Sequence, residues 1–522
     1  MTSVNNEPVS HTRNIAKRTT IVGFMTFISR ILGFVRDMVC AVYLGAGANY
    51  DAFLVAFKIP NFLRRLFAEG AFAQAFVPIL SEYRETKSKA AVLKLLQHVF
   101  GVLSTILLVV SVLGMLAAPW VIRAFAPGFD SNGPRLYLAV DLLRITFPYI
   151  FFISLTAFLG SVLNSYDKFS APAVAPVLLN ITMIMSILGF AHQFAEPVTA
   201  LAWGVFAGGI VQLLFLIFFV WKIDYLPRPA FHGDREGVTR IMKNMVPALF
   251  GVSVAQISLL FDTIFSSFLP KGSISWLYYS DRLMEFPLGV FGVALSTVVL
   301  PHLSRQHATN KHKDFELTVD WTLQLILLIV LPASLGLFVL ADELIITLFN
   351  YGKFTIDDVL KSAMSLRAFA CGLVAFVSIK ILASANYARK DIKTPVKIAM
   401  LCMVVNILLS LILMQFLQHV GLALAGTITG FLNAALLLMT LIKKDIYKPV
   451  LEWKVFSIRV LLANLILVIL IKLTSPHISE WIAWSSWQRA SVLMVLISIA
   501  MIAYFGFLQL SGFNFKKQLT LG

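Results

Sequence analysis

Charge is scarce in this chain. Asp, Glu, Lys and Arg make up 13% of its 522 residues, about half the share found in soluble domains. Acidic residues are the scarcer kind, 27 against 43 basic ones. With 58% hydrophobic residues and a mean hydropathy of +0.83, this composition excludes a soluble globular domain and defines a polytopic membrane protein. Cysteine is scarcer still: Cys40, Cys371 and Cys402 each stand in an apolar segment without paired spacing, which excludes a disulfide framework or a zinc site. The nine histidines lie in loops or near span ends. No Ser/His/Asp set, metal-binding histidine pair or P-loop is present, so the residues indicate no enzyme and no direct use of ATP.

What is abundant is long apolar runs. Taking stretches of about 20 apolar residues as spans gives about fourteen helices, near 17–45, 50–84, 92–119, 135–164, 172–191, 198–222, 239–269, 273–305, 314–341, 357–387, 395–416, 420–442, 454–473 and 487–511. The first apolar segment, Ile15 to Leu44, is too long and too interrupted by charge for a cleavable signal peptide, and reads as a retained first span. Alternate loops separate by charge. One set holds most of the basic residues, among them Lys87, Lys89, Arg235, Arg240, Lys311, Arg389, Lys390, Lys443 and Lys444. The other holds few, including Arg123, Arg135, Lys271 and Arg489. By the positive-inside rule the rich set is cytoplasmic, which places both termini inside. The net charge of +16 is thus a topology signal, and nucleic acid is not an expected partner.

The chain repeats itself at one offset. Pro78-Ile79-Leu80-Ser81 recurs 223 residues later as Pro301-His302-Leu303-Ser304, Leu143-Arg144 as Leu366-Arg367, and Pro172 as Pro395. An offset that carries span 2 onto span 8 covers six helices, an even number, and relates two halves as a parallel repeat. The expected organisation is an all-α membrane protein. An N-terminal extension spans 1–16, a six-helix lobe 17–222, a cytoplasmic linker 223–238, a second six-helix lobe 239–442, and a terminal helix pair with tail 443–522. Two such lobes leave a cavity whose access alternates as one rocks against the other.

Five arginines stand inside apolar spans: Arg30, Arg36, Arg64, Arg65 and Arg282. A guanidinium near the bilayer centre costs at least ~2.5–3.5 kcal/mol, so a group of them points to a hydrated cavity suited to an anion. Carboxylates and an amine accompany them. Arg30 and Asp37 share a helix face, as do Asp51 and Lys58, seven residues apart in each case. Pro60 should bend the second span ahead of Arg64 and Arg65. In the eighth span Asp281 and Glu285 are one turn apart and Arg282 is within reach of Glu285. Mutual pairing that fixes helix packing accounts for Asp37, Asp51, Asp281 and Glu285 at least as well as ligand contact. Adjacent Arg64 and Arg65 point different ways, so one of them packs or lies at the interface. An arginine cluster can grip a diphosphate bidentately. Asp262 stands alone in the seventh span, and Asn406 and Thr427 are polar residues of later spans that could complete oxygen ligation of a small cation.

The strings SRILGFVRD from Ser29, DAFLVAFKIPNFLRRLFAEGAFAQAFVPILSEY from Asp51 and SWLYYSDRLMEFPLGV from Ser275 closely resemble the bacterial lipid II flippases of the MurJ (MviN) family. FPYIFFISL at Phe147, YGKFT at Tyr351 and DIKTPVKIA at Asp391 extend the resemblance over nearly the whole chain. The family belongs to the multidrug/oligosaccharidyl-lipid/polysaccharide exporter superfamily. The resemblance implies two six-helix lobes and two further C-terminal helices beside which a polyprenyl tail runs. It also implies export of undecaprenyl-diphosphate-linked muropeptide across the bacterial cytoplasmic membrane. Arg30, Arg36, Arg64 and Arg282 match the family's required cavity arginines, Asp51 matches an important acid, and Asp262 aligns with the acid of a sodium site that some relatives have. The segment before Lys17 departs from shorter members and is expected to lack order. The resemblance names no cofactor; sodium or a proton is the coupling cation to test, membrane lipid and cell-wall synthesis proteins are candidate partners, and a monomer is expected. The competing readings are a cation-coupled exporter of drugs or of another polyprenyl-diphosphate-linked oligosaccharide, and a membrane-bound polyprenyl-linked glycosyltransferase. The first calls for an acidic or aromatic cavity, the second for carboxylates or histidines near a large extracytoplasmic loop.

Overall fold

A computed structural model describes residues 7–65, 72–231, 233–450 and 452–514, and among these every regular element is helical. Contacts divide the chain into two units, 1–268 and 269–522. In the first unit α1 (Glu7–Leu44) lies against α8 (Ser170–Phe190), and α8 against α9 (Val198–Trp221). The close approach of α8 and α9 is set by small residues. A Cβ at Gly208 would stand 2.6 Å from Thr182 Oγ1 and 2.7 Å from Leu179 Cδ1, so the backbones can meet only because glycine is there. α2 (Ala48–Leu63) packs on α6 (Pro134–Thr146), and α7 (Tyr149–Ser165) packs on α9, on α4 (Lys89–Leu116) and on α3 (Ala73–Thr86). Phe72, Phe76 and Phe158 stack at the centre of that core, Phe76 and Phe158 with centroids 5.2 Å apart.

α10 (Arg235–Ser267) opens the second half of the sequence repeat, yet it groups with the first unit, against α3, α4 and α5 (Ala118–Phe125). Its counterpart α1 packs instead on α8 of its own half. The two halves therefore do not use their first helices in the same way.

In the second unit α15 (Ile356–Ala388) is central. It is bordered by α11 (Ser273–Pro287), α12 (Ala294–Ala308), α13 (His312–Val339), α14 (Ala341–Phe349) and α16 (Lys393–Lys443). α17 (Trp453–Thr474) pairs with α19 (Ser486–Leu510), and short α18 (Ile478–Ala483) joins them. Buried Arg489 ties this terminal pair to α14 and its loop. It donates to the carbonyls of Trp481 and Ile482 at 2.8 Å each and of Asn350 at 3.2 Å. Asp320 does the same at the other end, accepting from the Val450 amide at 2.9 Å, the Trp453 indole at 2.6 Å and the Tyr447 hydroxyl.

Helix boundaries carry the repeat further than the sequence matches do. Adding 223 to Lys89–Leu116 gives His312–Val339, the bounds of α13. The same offset carries the end of α7, Ser165, to Ala388, the end of α15, and the start of α8, Ser170, to Lys393, the start of α16. Residues 64–65 are π-helical, and residue 65 maps onto 288, where the π-helical segment Leu288–Val293 begins. The break expected near Pro60 thus falls just beyond it, at Arg64 itself, and recurs after Pro287.

Ten helical stretches among the described residues are long and apolar enough to cross a membrane. Expected spans 395–416 and 420–442 count as one in α16, which kinks at Gln418 (φ 50°, ψ −129°). Gly421 makes room for that kink, since a Cβ there would stand 2.4 Å from the Leu413 carbonyl oxygen. The other three expected spans outside the ten, 17–45, 50–84 and 239–269, are those bearing Arg30, Arg36, Asp51, Lys58, Arg64 and Asp262. The extension expected to lack order is helical from Glu7, because α1 runs back into it; residues 1–6 lie outside the described residues, as does Glu69.

Candidate functional site

Of the charged residues singled out by sequence, those of the first unit fall into three groups. Arg36 is buried where α1 meets α8. Its Nε and Nη2 donate to Asp37 Oδ1 at 3.0 and 2.6 Å, and its Nη1 donates to Asn180 Oδ1 at 3.1 Å. Asn180 in turn donates to the Ser29 carbonyl at 3.2 Å, so one amide joins α8 to both the backbone and the cation of α1. Asp37 is therefore the partner of Arg36, its neighbour, and not of Arg30 one heptad away. The long guanidinium folds back once Asn180 pins its far edge. Arg30 stays exposed on α1.

Asp51 forms the second group, with an unforeseen partner. Arg135 Nη2 at the start of α6 donates to its Oδ2 at 2.9 Å, and the carboxylate is wholly shielded from solvent. The Arg135 guanidinium also lies over the Phe129 ring, 3.9 Å from its centroid. Sequence places Arg135 at an extracytoplasmic span end, where a basic residue ordinarily meets water. The third group is on α2 and α10. Half-buried Lys58 is within electrostatic range of Asp262, so the ammonium lies near a different acid from the Asp51 that shares its helix face. Arg64 closes α2, holding Asn61 Oδ1 through Nε at 3.0 Å and Nη2 at 2.7 Å. Arg65 beside it is exposed.

In the second unit Arg282 is positioned by its own helix. Its Nε and Nη2 donate to the Tyr278 hydroxyl at 3.2 and 3.1 Å, its Nη1 donates to Glu285 Oε2 at 3.1 Å, and its guanidinium carbon lies 5.1 Å from the Tyr278 ring centroid. The i,i+3 pair read from sequence is present, while Asp281 is half-buried on the same helix. Tyr278, one turn before Arg282, was not foreseen. The arginine remains one-third exposed, so an oxyanion can still reach it.

The residues considered for a cation divide between the units. Asp262 belongs to the first; Asn406 and Thr427, both on α16, belong to the second. Asn406 donates to Thr429 Oγ1 at 3.2 Å, and Thr427 donates to the Ala368 carbonyl at 2.7 Å. Among the described residues no group of three or more His, Cys, Asp or Glu side chains is arranged to hold a metal ion.

Described residues that are helical in every regular element, a parallel repeat of membrane spans and arginines within those spans fit a membrane transporter. The family model described as "Lipid II flippase MurJ" matches residues 40–492, and the chain belongs to that family. It is 45% identical over 509 residues to "Probable lipid II flippase MurJ" of Haemophilus influenzae, covering 95% of this chain and all of that one. It is 41% identical to "Lipid II flippase MurJ" of Burkholderia cenocepacia, over 95% and 97% of the two chains. A solved "Lipid II flippase MurJ, inward closed conformation" superposes with a TM-score of 0.79 at 30% identity, over 94% of this chain and 98% of that one. An inward-facing multidrug resistance MATE transporter of the MOP superfamily shares the fold at 15% identity, with a TM-score of 0.67 over 80% of this chain and 94% of that one. The chain is a multi-pass inner-membrane transporter, not an enzyme.

Proposed function

We propose that this protein moves lipid II, the undecaprenyl-diphosphate-linked muropeptide, from the cytoplasmic to the outer leaflet by alternating access. The observation that carries the reading is the set of guanidiniums left accessible on spans of a lipid II flippase family member. Arg30, Arg64 and Arg282 offer N–H groups to a diphosphate, which arginine meets with paired hydrogen bonds and a charge it cannot lose. Arg36 adds its charge to theirs while also holding α1 against α8. Asp37, Asp51, Lys58, Asp281 and Glu285 set the positions of these cations. An inside-negative membrane potential favours outward movement of net negative charge by about 2.3 kcal/mol per charge per 100 mV. Cation coupling by sodium or a proton belongs to the same reading, with Asp262 as its acid and imposed ion gradients as its test. Both termini are cytoplasmic, the protein acts as a monomer, and cell-wall synthesis proteins are its candidate partners.

The test is complementation after depletion of the resident flippase, with lipid II translocation measured directly. Arg30→Ala and Arg282→Ala should abolish translocation while the protein still inserts. Normal flipping by either variant removes that arginine from the site. Drug efflux without lipid II movement would overturn the reading.

A further inference from the structure

We propose that a pocket where α12, α13, α15 and α16 end or begin in the second unit binds a phosphate group. The cavity measures about 90 Å³ and is lined by Gln306, His307, Lys311, His312, Arg389 and Lys444, with Phe315 and Ile446 as its apolar wall and Asp445 as a carboxylate in its lining. A single water needs only ~10–15 Å³ by this measure, so one tetrahedral oxyanion fits. Some of its charge is already paired. Lys444 holds Asp391 at 3.0 Å, Lys311 holds Asp314 at 3.5 Å, and Asp445 is drawn to Lys448 at 3.1 Å. Among the described residues Arg389, His307 and His312 take part in no ion pair. They come from different helices, so they converge on the cavity because the fold brings them there.

Gln306 belongs to the lining. It is 91% buried, and its Nε2 donates to Thr318 Oγ1 at 2.9 Å. Its Oε1 is buried and, among the described residues, accepts no hydrogen bond. A buried acceptor left without a donor is costly. Phosphate or a phosphate monoester brings the oxygens that the cations of the lining ask for.

The repeat supplies a control within the same molecule. Subtracting 223 carries His307 to Arg84, His312 to Lys89 and Arg389 to Tyr166, and the matching turns after α9 and α16 pair Tyr225 with Ile446. In the first unit Tyr166 and Tyr225 stack at 4.4 Å, and Arg84 and Lys89 lie over them at 5.8 and 5.1 Å. There the cations sit on aromatic faces. In the second unit Arg389 stands where the Tyr166 ring would be and Ile446 where Tyr225 would be, and a cavity opens. The basic pocket is thus not a by-product of the repeat.

The loops around it carry the basic excess that marks the cytoplasmic side, where soluble phosphates and phosphate-bearing lipid headgroups share this chemistry. The test titrates inorganic phosphate, with chloride at matched ionic strength as control, into the full chain purified in neutral detergent at pH 7, read by calorimetry. Phosphate should bind and chloride should not, and Arg389→Ala should weaken phosphate binding about tenfold, the size of one charge-assisted hydrogen bond. Exposed His312→Ala, which threatens folding less, should weaken it severalfold. In nanodiscs, loss of the phosphate titration when phosphatidic acid is added to phosphatidylcholine assigns a lipid headgroup as the occupant; persistence assigns a soluble phosphate. The proposal is overturned if phosphate does not bind, or if the parent and both folded variants bind it equally.

Discussion

Asp51 and Arg135 close at 2.9 Å, and the offset of 223 carries Arg135 onto Asp358, which accepts the Trp276 indole N–H at 2.8 Å. Each unit thus fastens its second span to its fourth through a polar group at the same repeat position, by an ion pair in one unit and a neutral donor in the other. Removing one partner of a buried ion pair leaves an uncompensated charge and costs about 3–5 kcal/mol. Arg135→Ala should therefore lower the melting temperature of the purified protein strongly, and adding Asp51→Asn to it should recover part of the loss. If Arg135→Ala melts with the parent, the pair does not hold α2 on α6.

Asn180 lets packing and substrate contact at Arg36 be separated. Asn180→Leu removes an acceptor from Arg36 and a donor from the Ser29 carbonyl, and should destabilise by about 1.5–3 kcal/mol, the usual size for a hydrogen bond to a charged group. Asn180→Asp keeps the acceptor and adds a negative charge beside Arg36. It loses the donor to the Ser29 carbonyl, so it should be less stable than the parent by about 0.5–1.5 kcal/mol, while still inserting and translocating lipid II more slowly. Full translocation by the aspartate variant would mean that the charge of Arg36 serves packing alone.

The fold was legible because its signals are periodic or repeated. Three matched pairs at one offset, Pro78 with Pro301, Leu143-Arg144 with Leu366-Arg367 and Pro172 with Pro395, anticipated helix bounds that coincide in α4 and α13. The partners of the charges were not legible. Helical spacing says which residues share a face, so it suggested Arg30 with Asp37 and Asp51 with Lys58. The actual partners Asp37, Asn180 and Arg135 are adjacent in sequence or on other helices, and no local period encodes them. Arg135 had one readable signal, an acid at its repeat position, Asp358. The kink at Gln418 had only Gly421 nearby to announce it. The grouping of α10 with the first unit had none, since it depends on which neighbour a helix finds after folding.

Tyr278 controls how Arg282 is presented. Its hydroxyl accepts two of the guanidinium N–H groups, and its ring lies 5.1 Å away. Tyr278→Phe keeps the ring and deletes the acceptor. Translocation should fall about tenfold or more, since a hydrogen bond to a charged group is worth about 1.5–3 kcal/mol, with insertion unchanged. Tyr278→Ala should fall further, since the ring is lost as well. Equal rates for parent, Phe and Ala variants in a reconstituted lipid II assay would show that Arg282 needs no positioning.

Asp391 links the α15–α16 turn to pH. The Thr394 hydroxyl donates to Oδ2 at 2.7 Å, the Thr394 amide to Oδ1 at 3.0 Å, and Lys444 Nζ to Oδ2 at 3.0 Å. These bonds, the threonine's first and the lysine's charge after them, hold its pKa down to about 2, below the ordinary 3.8. A carboxyl depressed by folding stabilises the native state above its unfolded value, and that contribution fades as pH falls from about 4 toward 2. The side chain is 29% exposed and its lysine partner more so, so solvent screening limits the effect to about 0.2–1 kcal/mol. Asp391→Asn should thus melt below the parent at pH 7, and the gap should narrow as the pH is lowered through 4 to 3. A gap that stays constant over that range would show that the loss comes from the altered turn and not from the carboxylate's charge.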